Sequence, residues 1–341
     1  MARSTNRRIF LQQSAAASLA ASGILLSHPA SAGAQEAAAS GKSELPIIDT
    51  HQHLWDLSKF RLPWLADAPA LKQSYVTKDY LEAVAGLNVA HAVYMEVDVT
   101  PEQQVEEAEH LIALCKDPKN LTVGAVISGR PASEQFKAYI SRFRGSSVIK
   151  GVRQVLHGGS TPAGTCLSKE YITGVRLLGE LGMSFDLCMR PTELADGAKL
   201  ADECPDTRFI VDHCGNADPK AFTASKQRPA DEKPSHEVDP WKRDIEALAK
   251  RPNVICKISG IVARARPKAW SADDLAPIVN HCLDAFGPNR VIFGSDWPVC
   301  TLVASLREWV VALRSIIASR PVAEQKKLLS ENAQRFYSLS K

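Results

Sequence analysis

The chain has 341 residues, of which 45% are hydrophobic, and its 41 basic residues against 38 acidic ones give a formal net charge of +3. The positive excess lies at the N-terminus, where Arg3, Arg7 and Arg8 precede the first acidic residue, Glu36. Without these three arginines the charges balance, so the composition does not favour nucleic acid or an anionic membrane surface as a partner. A chain of this length can bury one large core.

The N-terminal segment has the pattern of an export leader. Two arginines in segment 6–12 are followed by an uncharged, Ala- and Leu-rich stretch at 14–26, which is too short to span a bilayer. Small residues from Ala30 to Ala34 then offer cleavage sites of the A-x-A kind. We predict a cleaved twin-arginine leader at 1–34, a linker at 35–45, and a periplasmic protein without a stable membrane anchor. An uncleaved anchor or a frayed N-terminus is the alternative.

Eight strand-like runs follow, each with a helical pattern after it. Such alternation predicts a parallel sheet, and the count of eight predicts closure into a single-domain (β/α)8 TIM barrel, an α/β fold, over residues 46–341. An open doubly wound sheet is the alternative, but no glycine-rich nucleotide motif follows any run. The runs are Ile47 to His53, Val89 to Asp98, Thr122 to Ser128, Val148 to Leu156, Met183 to Arg190, Arg208 to Cys214, Asn253 to Ser259, and Arg290 to Asp296.

The alternation of side chains along a strand predicts which of them face the barrel interior. On the fourth run this rule turns Arg153 inward and Lys150 outward, and on the fifth it turns Asp186 and Cys188 inward. The second run is predicted to point Tyr94, Glu96 and Asp98 inward, and the sixth to place His213 on the face of Phe209 and Val211.

Polar side chains at the ends of these strands form the predicted site. Imidazole is both the commonest protein metal ligand and a general acid or base near neutral pH, so the closely spaced His51 and His53 indicate hydrolytic chemistry. Barrel active sites form at the carboxyl ends of the strands, where all the candidates lie. The candidates are His51, His53, Glu96, Arg153, Arg190, His213 and Asp296.

Five sequence blocks resemble those of the amidohydrolase-2 family, and more narrowly its branch of sugar-lactone and pyrone-dicarboxylate lactonases. The match covers about Pro46 to Tyr337 in the family's order, and the blocks are DTHQHLWD at 49–56, KGVRQVLH at 150–157, FIVDHCG at 209–215, VICKISG at 254–260 and FGSDWP at 293–298. The resemblance implies a (β/α)8 hydrolase in which Asp296 activates water. It also matches His51, His53, His213 and Arg153 to residues of the family's site.

The resemblance implies the opening of a sugar lactone (an aldono-lactone) or a related cyclic ester, and the residue types suit this reaction. The reaction needs a base for the attacking water, a group that polarises the carbonyl, and an acid for the leaving alkoxide. We assign Asp296 as the base, and His213, Arg153 or a bound metal as the polarising group. The His51/His53 pair would hold the metal or donate protons. Glu96, Arg190, Trp55, His157 and Trp297 are predicted to bind the small-molecule substrate.

The metal content has two alternatives. His51, His53, His213 and Asp296 have the ligand types of a mononuclear zinc site with an open position for water. The resemblance to lactonases that work without a divalent ion implies a metal-independent site instead. A binuclear centre is rejected, because the parity rule places no lysine inside the barrel on the fourth strand.

Two other functions remain open beside the lactonase. One is a zinc-dependent decarboxylase or amide hydrolase, although Leu54-Trp55-Asp56 replaces the proline that follows the two histidines in the related decarboxylases. The other is a periplasmic carbohydrate-binding protein that lacks catalysis, which the intact His and Asp set disfavours.

A long polar segment and the cysteines also allow predictions. The polar segment 216–240 is long for a loop after a barrel strand and is predicted to form a lid or a substrate-reading loop, with a disordered surface insertion as the alternative. Cys188, Cys214, Cys256 and Cys300 lie in or just after apolar strand-like runs and are predicted to be buried thiols rather than disulfides.

Overall fold

The computed structural model describes residues 44–159, 161–223, 229 and 231–339. Eight parallel strands follow one another around the sheet in chain order, which confirms the predicted (β/α)8 barrel. The predicted leader and most of the linker lie outside the described residues. The strands are β1 Ile47–Gln52, β2 Val89–Met95, β3 Thr122–Ser128, β4 Ile149–Val155, β5 Ser184–Cys188, β6 Arg208–Val211, β7 Val254–Ile258 and β8 Val291–Phe293.

Helical segments connect the strands and form the outer layer. Side-chain caps begin three of them, because Ser168 and Ser305 each accept a backbone N–H of the first turn and Asp274 accepts the backbone N–H of Ser271. The α-helical segments are α1 Thr77–Ala83, α2 Gln104–Leu114, α3 Phe136–Ser141, α4 Lys169–Glu180, α5 Leu194–Glu203, the short turn α6 His213–Asn216, α7 Val238–Ala249, α8 Ala272–Phe286, α9 Leu306–Ile316, α10 Val322–Lys326 and α11 Asn332–Phe336. None of the described helices is long and apolar enough to cross a membrane.

The first and last strands meet just beyond their carboxyl ends. The backbone N–H of Asp296 donates to the carbonyl of His51 at 2.9 Å, and that of His53 donates to the carbonyl of Trp297 at 2.8 Å. These bonds close the ring of strands. They also bring the polar residues that follow β1 and β8 side by side.

Two apolar clusters hold the barrel together. The larger one fills the space between strands and helices, and the smaller one fills the interior with Ile48, Val93, Met95, Val126, Ile210, Ile255 and Ile292, together with residues near the C-terminus. Full burial of each such aliphatic side chain contributes about 1.5–3 kcal/mol. The interior is therefore packed at its amino end and polar at its carboxyl end.

The interior cluster corrects the predicted parity of β2. Val93 and Met95 face the interior, whereas Tyr94 packs on the helix side, where its hydroxyl contacts Glu107 at 3.1 Å. The rule failed because it counted back from Glu96, which lies beyond the end of β2 at Met95. Glu96 therefore does not follow the alternation of the strand.

The cysteine prediction agrees with the structure. Cys188, Cys214, Cys256 and Cys300 are buried free thiols. The predicted single domain fits the described part of the chain, since Glu44 onward forms one compact unit.

Candidate active site

A register shift in β1 turns His51 into the barrel. Ile48 belongs to the interior cluster, and Asp49 points the other way, to the hydroxyl of Tyr80 at 2.8 Å. The pairing of β1 with β2 then shifts between Asp49 and Gln52. His51, fully buried, consequently lies inside the barrel together with His53 just beyond the strand, and their ring centroids are 4.9 Å apart.

Asp296 lies between the two imidazoles. It follows β8 with a positive φ of 58°, an uncommon backbone conformation for a residue other than glycine. Its Oδ1 atom is 3.6 Å from Nε2 of His51 and 3.3 Å from Nε2 of His53. The predicted base and the predicted histidine pair therefore meet at one point.

Arg153 on β4 reaches the same point from the opposite side of the barrel. Its guanidinium donates to Oε1 of Glu96 at 2.7 Å and to the Glu96 carbonyl at 2.8 Å, and its NH1 atom is 3.2 Å from Nε2 of His51. Burial alone would lower the pKa of Arg153, but Glu96, together with Cys188 and Asp212, outweighs burial and raises that pKa well above its usual value. Glu96 thus holds a permanent cation beside His51.

His213 enters the site through an irregular turn after β6. Its backbone φ is 52°, and its Nδ1 atom is 2.9 Å from Oγ of Ser259. Gly260, with a φ of 65°, lies so close that a β-carbon there would be 2.2 Å from Nδ1 of His213. Burial lowers the pKa of His213, so the ring is neutral near pH 7.

These groups open into a cavity of about 720 Å³ at the carboxyl end of the barrel. This volume is in the range of small-molecule sites. Among the predicted substrate-binding residues, Trp55 and His157 line it, and burial lowers the pKa of His157 to about 4. Arg264 on the turn after β7 lines it as well.

Two predicted substrate-binding residues have other partners in the structure. Arg190 donates to Glu193 at 2.9 Å and to the backbone carbonyls of Gly158 and Thr161 at 2.6 and 2.7 Å. Trp297 is buried against the rings of Tyr75 and Tyr80. Within the described residues neither side chain lines the central cavity. A direct role in substrate binding stays a prediction for both.

The described part of segment 216–240 packs beside the cavity. It contains a 3-10 turn at Pro219–Phe222, and the Asp218 carboxylate accepts the backbone N–H groups of Lys220 and Ser235, both at 3.0 Å. Asn216, at its start, lines the cavity. The predicted lid function stays a prediction.

Sequence reasoning missed a charged layer beneath His51. Lys257 on β7 is fully buried, and its Nζ atom is 2.8 Å from Asp186 and 2.9 Å from Asp212. The parity rule could have found it, because Val254, Cys256 and Ile258 form the apolar helix face of β7 and leave Lys257 inside. Asp186 was predicted to face inward, but Asp212 had not been recognised as part of the site.

The residues present fit a single divalent ion. Nδ1 of His53 is 3.0 Å from the carbonyl of Met95, and a carbonyl only accepts, so Nδ1 carries a hydrogen and Nε2 faces Asp296. Nε2 and the Asp296 carboxylate lie 3.3 Å apart, and two such acceptor atoms require a proton or a cation between them. His51, His53 and Asp296 form one group that could hold a metal; His213 belongs to a second, with His51 and Asp212.

A family model for amidohydrolases (Amidohydro_2) matches residues 48–339. The chain belongs to the amidohydrolase family. The predicted family and hydrolase class are thereby confirmed, and the lactonase-like relatives agree with the narrower resemblance.

This amidohydrolase is similar to named lactonases over nearly their whole length. An L-fucono-1,5-lactonase of Burkholderia multivorans is 27% identical over 299 residues, which cover 86% of this chain and 96% of the relative. An L-rhamnono-gamma-lactonase of Scheffersomyces stipitis is 23% identical over 350 residues, with coverage of 87% and 100%. A solved amidohydrolase of Burkholderia multivorans with bound zinc superposes with a TM-score of 0.73 at 25% identity, covering 86% of this chain and 100% of that one.

Proposed function

We propose that this amidohydrolase opens a sugar lactone or a related cyclic ester, with Asp296 as the base for the attacking water. The observation that carries the proposal is the position of the Asp296 carboxylate, within 3.6 Å of two imidazoles at the floor of a substrate-sized cavity. The named lactonases among the relatives support the substrate class. The predicted export leader supports a periplasmic location.

The residues provide each part of a hydrolysis. Asp296 accepts a proton from water while the water oxygen bonds to the lactone carbonyl carbon. Arg153 and His213 border the space in which the carbonyl oxygen gains negative charge, and a fixed cation there stabilises that charge. The bond to the ring oxygen then breaks, and Asp296 returns its proton to the leaving alkoxide. The product is the open-chain hydroxy acid.

A divalent ion, with zinc as the first choice, would be held by His51, His53 and Asp296. When bound, it would supply Lewis-acid polarisation of an oxygen ligand. The zinc-bound amidohydrolase among the solved structures supports this assignment. His213 belongs to the second group, with His51 and Asp212, and is not assigned as a ligand of this ion.

The cavity walls provide contacts for a ring with hydroxyl groups. Trp55 offers an aromatic surface, and His157 offers a neutral imidazole because burial lowers its pKa to about 4. Glu96 is engaged by Arg153, so its role in this proposal is to orient the guanidinium.

The test is a screen of aldono-lactones and related esters, read by acid release, with metal analysis of the same sample. We expect acid release by the wild type and a loss on the order of 10³-fold in kcat for Asp296→Asn, in the range of general-base removal. Asp284→Asn, an exposed carboxylate paired with Arg320, is the matched control and should retain activity. Unchanged turnover in Asp296→Asn would remove Asp296 from the base role. Release of carbon dioxide from aromatic acids without lactone turnover would favour the decarboxylase alternative.

A further inference from the structure

The charged layer beneath His51 contains one lysine and two carboxylates. Lys257, Asp186 and Asp212 are fully buried, and Lys257 bridges the carboxylates at 2.8 and 2.9 Å. Buried charges persist only where partners offset the loss of hydration. Oδ1 of Asp212 lies 2.9 Å from Nζ of Lys257, and its Oδ2 lies 3.6 Å from NH1 of Arg153. Lys257 is therefore the nearest cation to Asp212.

Each ring nitrogen of His51 faces one cation and one carboxylate. On the cavity side, Nε2 is 3.2 Å from NH1 of Arg153 and 3.6 Å from Oδ1 of Asp296. On the inner side, Nδ1 is 3.3 Å from Nζ of Lys257 and 3.6 Å from Oδ1 of Asp212. The two ring nitrogens therefore have nearly the same distances to a cation and to a carboxylate.

This arrangement admits two neutral forms of the ring. Arginine and lysine only donate, and a neutral imidazole has one acceptor nitrogen, so only one of the two cations can donate to His51. In the first form Nε2 accepts from Arg153 and the Nδ1 hydrogen points to Asp212. In the second form Nδ1 accepts from Lys257 and the Nε2 hydrogen points to Asp296.

The partners of Lys257 favour the first form. The carboxylates compete with His51 for the hydrogens of Lys257, because Nζ lies closer to Asp186 and Asp212 than to Nδ1 of His51. Neither Asp212 oxygen has a donor of good hydrogen-bond geometry within the described residues. A hydrogen on Nδ1 would point its positive end toward Oδ1 of Asp212 at 3.6 Å, an attractive electrostatic contact, whereas a lone pair there would face the carboxylate.

We propose that Lys257 is a positioning residue, which anchors Asp212 beside Nδ1 of His51 and so selects the ring form whose Nε2 lone pair faces the cavity. Its effect on turnover rests on the proposed function. Without Lys257, Asp212 keeps only the more distant Arg153 as a cation, at 3.6 Å, and the two ring forms become close in energy. His51 then presents a hydrogen to Asp296 for part of the time, which competes with the Asp296 base.

Kinetics of two variants test the proposal. Lys257→Met should lower kcat about 10- to 100-fold, as loss of an outer partner of a site histidine does, with little change in KM. Lys150→Met, which removes another strand lysine whose Nζ contacts the carbonyl of Ser338, is the matched control and should keep wild-type kcat. An unchanged kcat in Lys257→Met would overturn the proposal.

A charge-balanced variant separates positioning from simple neutralisation. Lys257→Met together with Asp186→Asn keeps one net negative charge in the layer, as in the wild type. We expect this double variant to recover thermal stability relative to Lys257→Met but not kcat, because Asp212 still lacks its anchor. Recovery of kcat to within about twofold of the wild type would overturn the proposal, since a twofold change is less than about 0.5 kcal/mol.

The ring form can be read directly, without turnover. Nitrogen-15 imidazole spectra of the protein as purified and after EDTA treatment, with the His51 signal assigned through His51→Gln, report which nitrogen carries hydrogen. We expect an Nδ1-protonated ring in the wild type and a mixture in EDTA-treated Lys257→Met. An Nε2-protonated ring in the wild type, or an unchanged ring in the variant, would overturn the proposal. If the spectra agree but no lactone is opened, the proposed function fails and the positioning role stands.

Discussion

The carboxylate of Asp49 holds Ser295 by two hydrogen bonds, from its backbone N–H at 2.7 Å and from its hydroxyl at 2.6 Å. The same carboxylate accepts the backbone N–H of His51 at 3.1 Å and the hydroxyl of Tyr80 at 2.8 Å. Asp49 therefore ties the strand that carries His51 to the residue before Asp296. The distance between Asp296 and the imidazole of His51 therefore depends on this buried hydrogen-bond cluster.

Substitution of Asp49 should destabilise the protein strongly. Asp49→Ala leaves several buried donors unpaired, and we expect a loss of roughly 3–5 kcal/mol in unfolding free energy, measured by urea denaturation. Tyr80→Phe removes a single hydrogen bond to this carboxylate and should cost about 1 kcal/mol. Equal losses in the two variants would contradict the role of Asp49 as a shared acceptor.

Substitution of Gly260 should disturb His213. A β-carbon at Gly260 would lie 2.2 Å from Nδ1 of His213, and the backbone φ is 65°. Gly145 has a φ of 74°, but a β-carbon there would meet no described atom within 4 Å, so Gly145→Ala has the backbone strain without the clash. We expect Gly145→Ala to cost about 1 kcal/mol in stability and to keep kcat, whereas Gly260→Ala should also lower kcat at least about tenfold. Equal kcat values in the two variants would show that the turn can move away from His213.

Zinc binding should depend on His53. Its Nε2 atom lies 3.3 Å from the Asp296 carboxylate. A cation bound between these two acceptor atoms removes their mutual repulsion. Zinc at about 100 times its dissociation constant should stabilise the wild type by about 2.7 kcal/mol, measured as a shift of the thermal unfolding midpoint. His53→Ala should lose most of this shift. The control is His281→Ala, which removes a histidine on α8 that contacts Glu246 and should retain the shift. Equal shifts in wild type and His53→Ala would place the zinc elsewhere.

The sequence was sufficient for the barrel and for the residues at its carboxyl end. Regular alternation predicts the eight strands, but not how every polar residue reaches the site. Phe209 and Val211 pack on the helix side, against the predicted parity, and His213 enters through the irregular turn after β6. The orientation of the His51 side chain could not be predicted by alternating residues along β1, because it depends on the register shift after Asp49. Such a shift arises from pairing with β2, which the sequence of β1 does not contain.

Lys257 shows a different limit. Its parity on β7 was readable, but a lysine in a barrel interior is costly unless carboxylates meet it there. Those carboxylates come from β5 and from the end of β6, so the pairing is a property of three strands together. Reading one strand at a time therefore missed the charged layer.

The pH dependence of stability should contain a contribution from Glu107. Burial raises the pKa of this carboxyl to about 8, with the nearby charge of Glu96 as a further cause. Because an unfolded glutamate has a pKa near 4.5, the folded chain holds a proton that the unfolded chain has released between these values. The contribution is complete below about pH 4.5 and is lost as the pH rises through about 8.

Glu107→Gln should remove this slope. The amide has no titrating proton, so the unfolding free energy of the variant should fall less than that of the wild type between about pH 5 and pH 8, as measured by urea denaturation at about six pH values. Glu106→Gln, an exposed neighbour on α2, is the matched control and should keep the wild-type slope. Parallel curves for wild type and Glu107→Gln would mean that Glu107 is ionised in the folded chain and that its contacts with Tyr94 and the Val97 backbone hold the charged form.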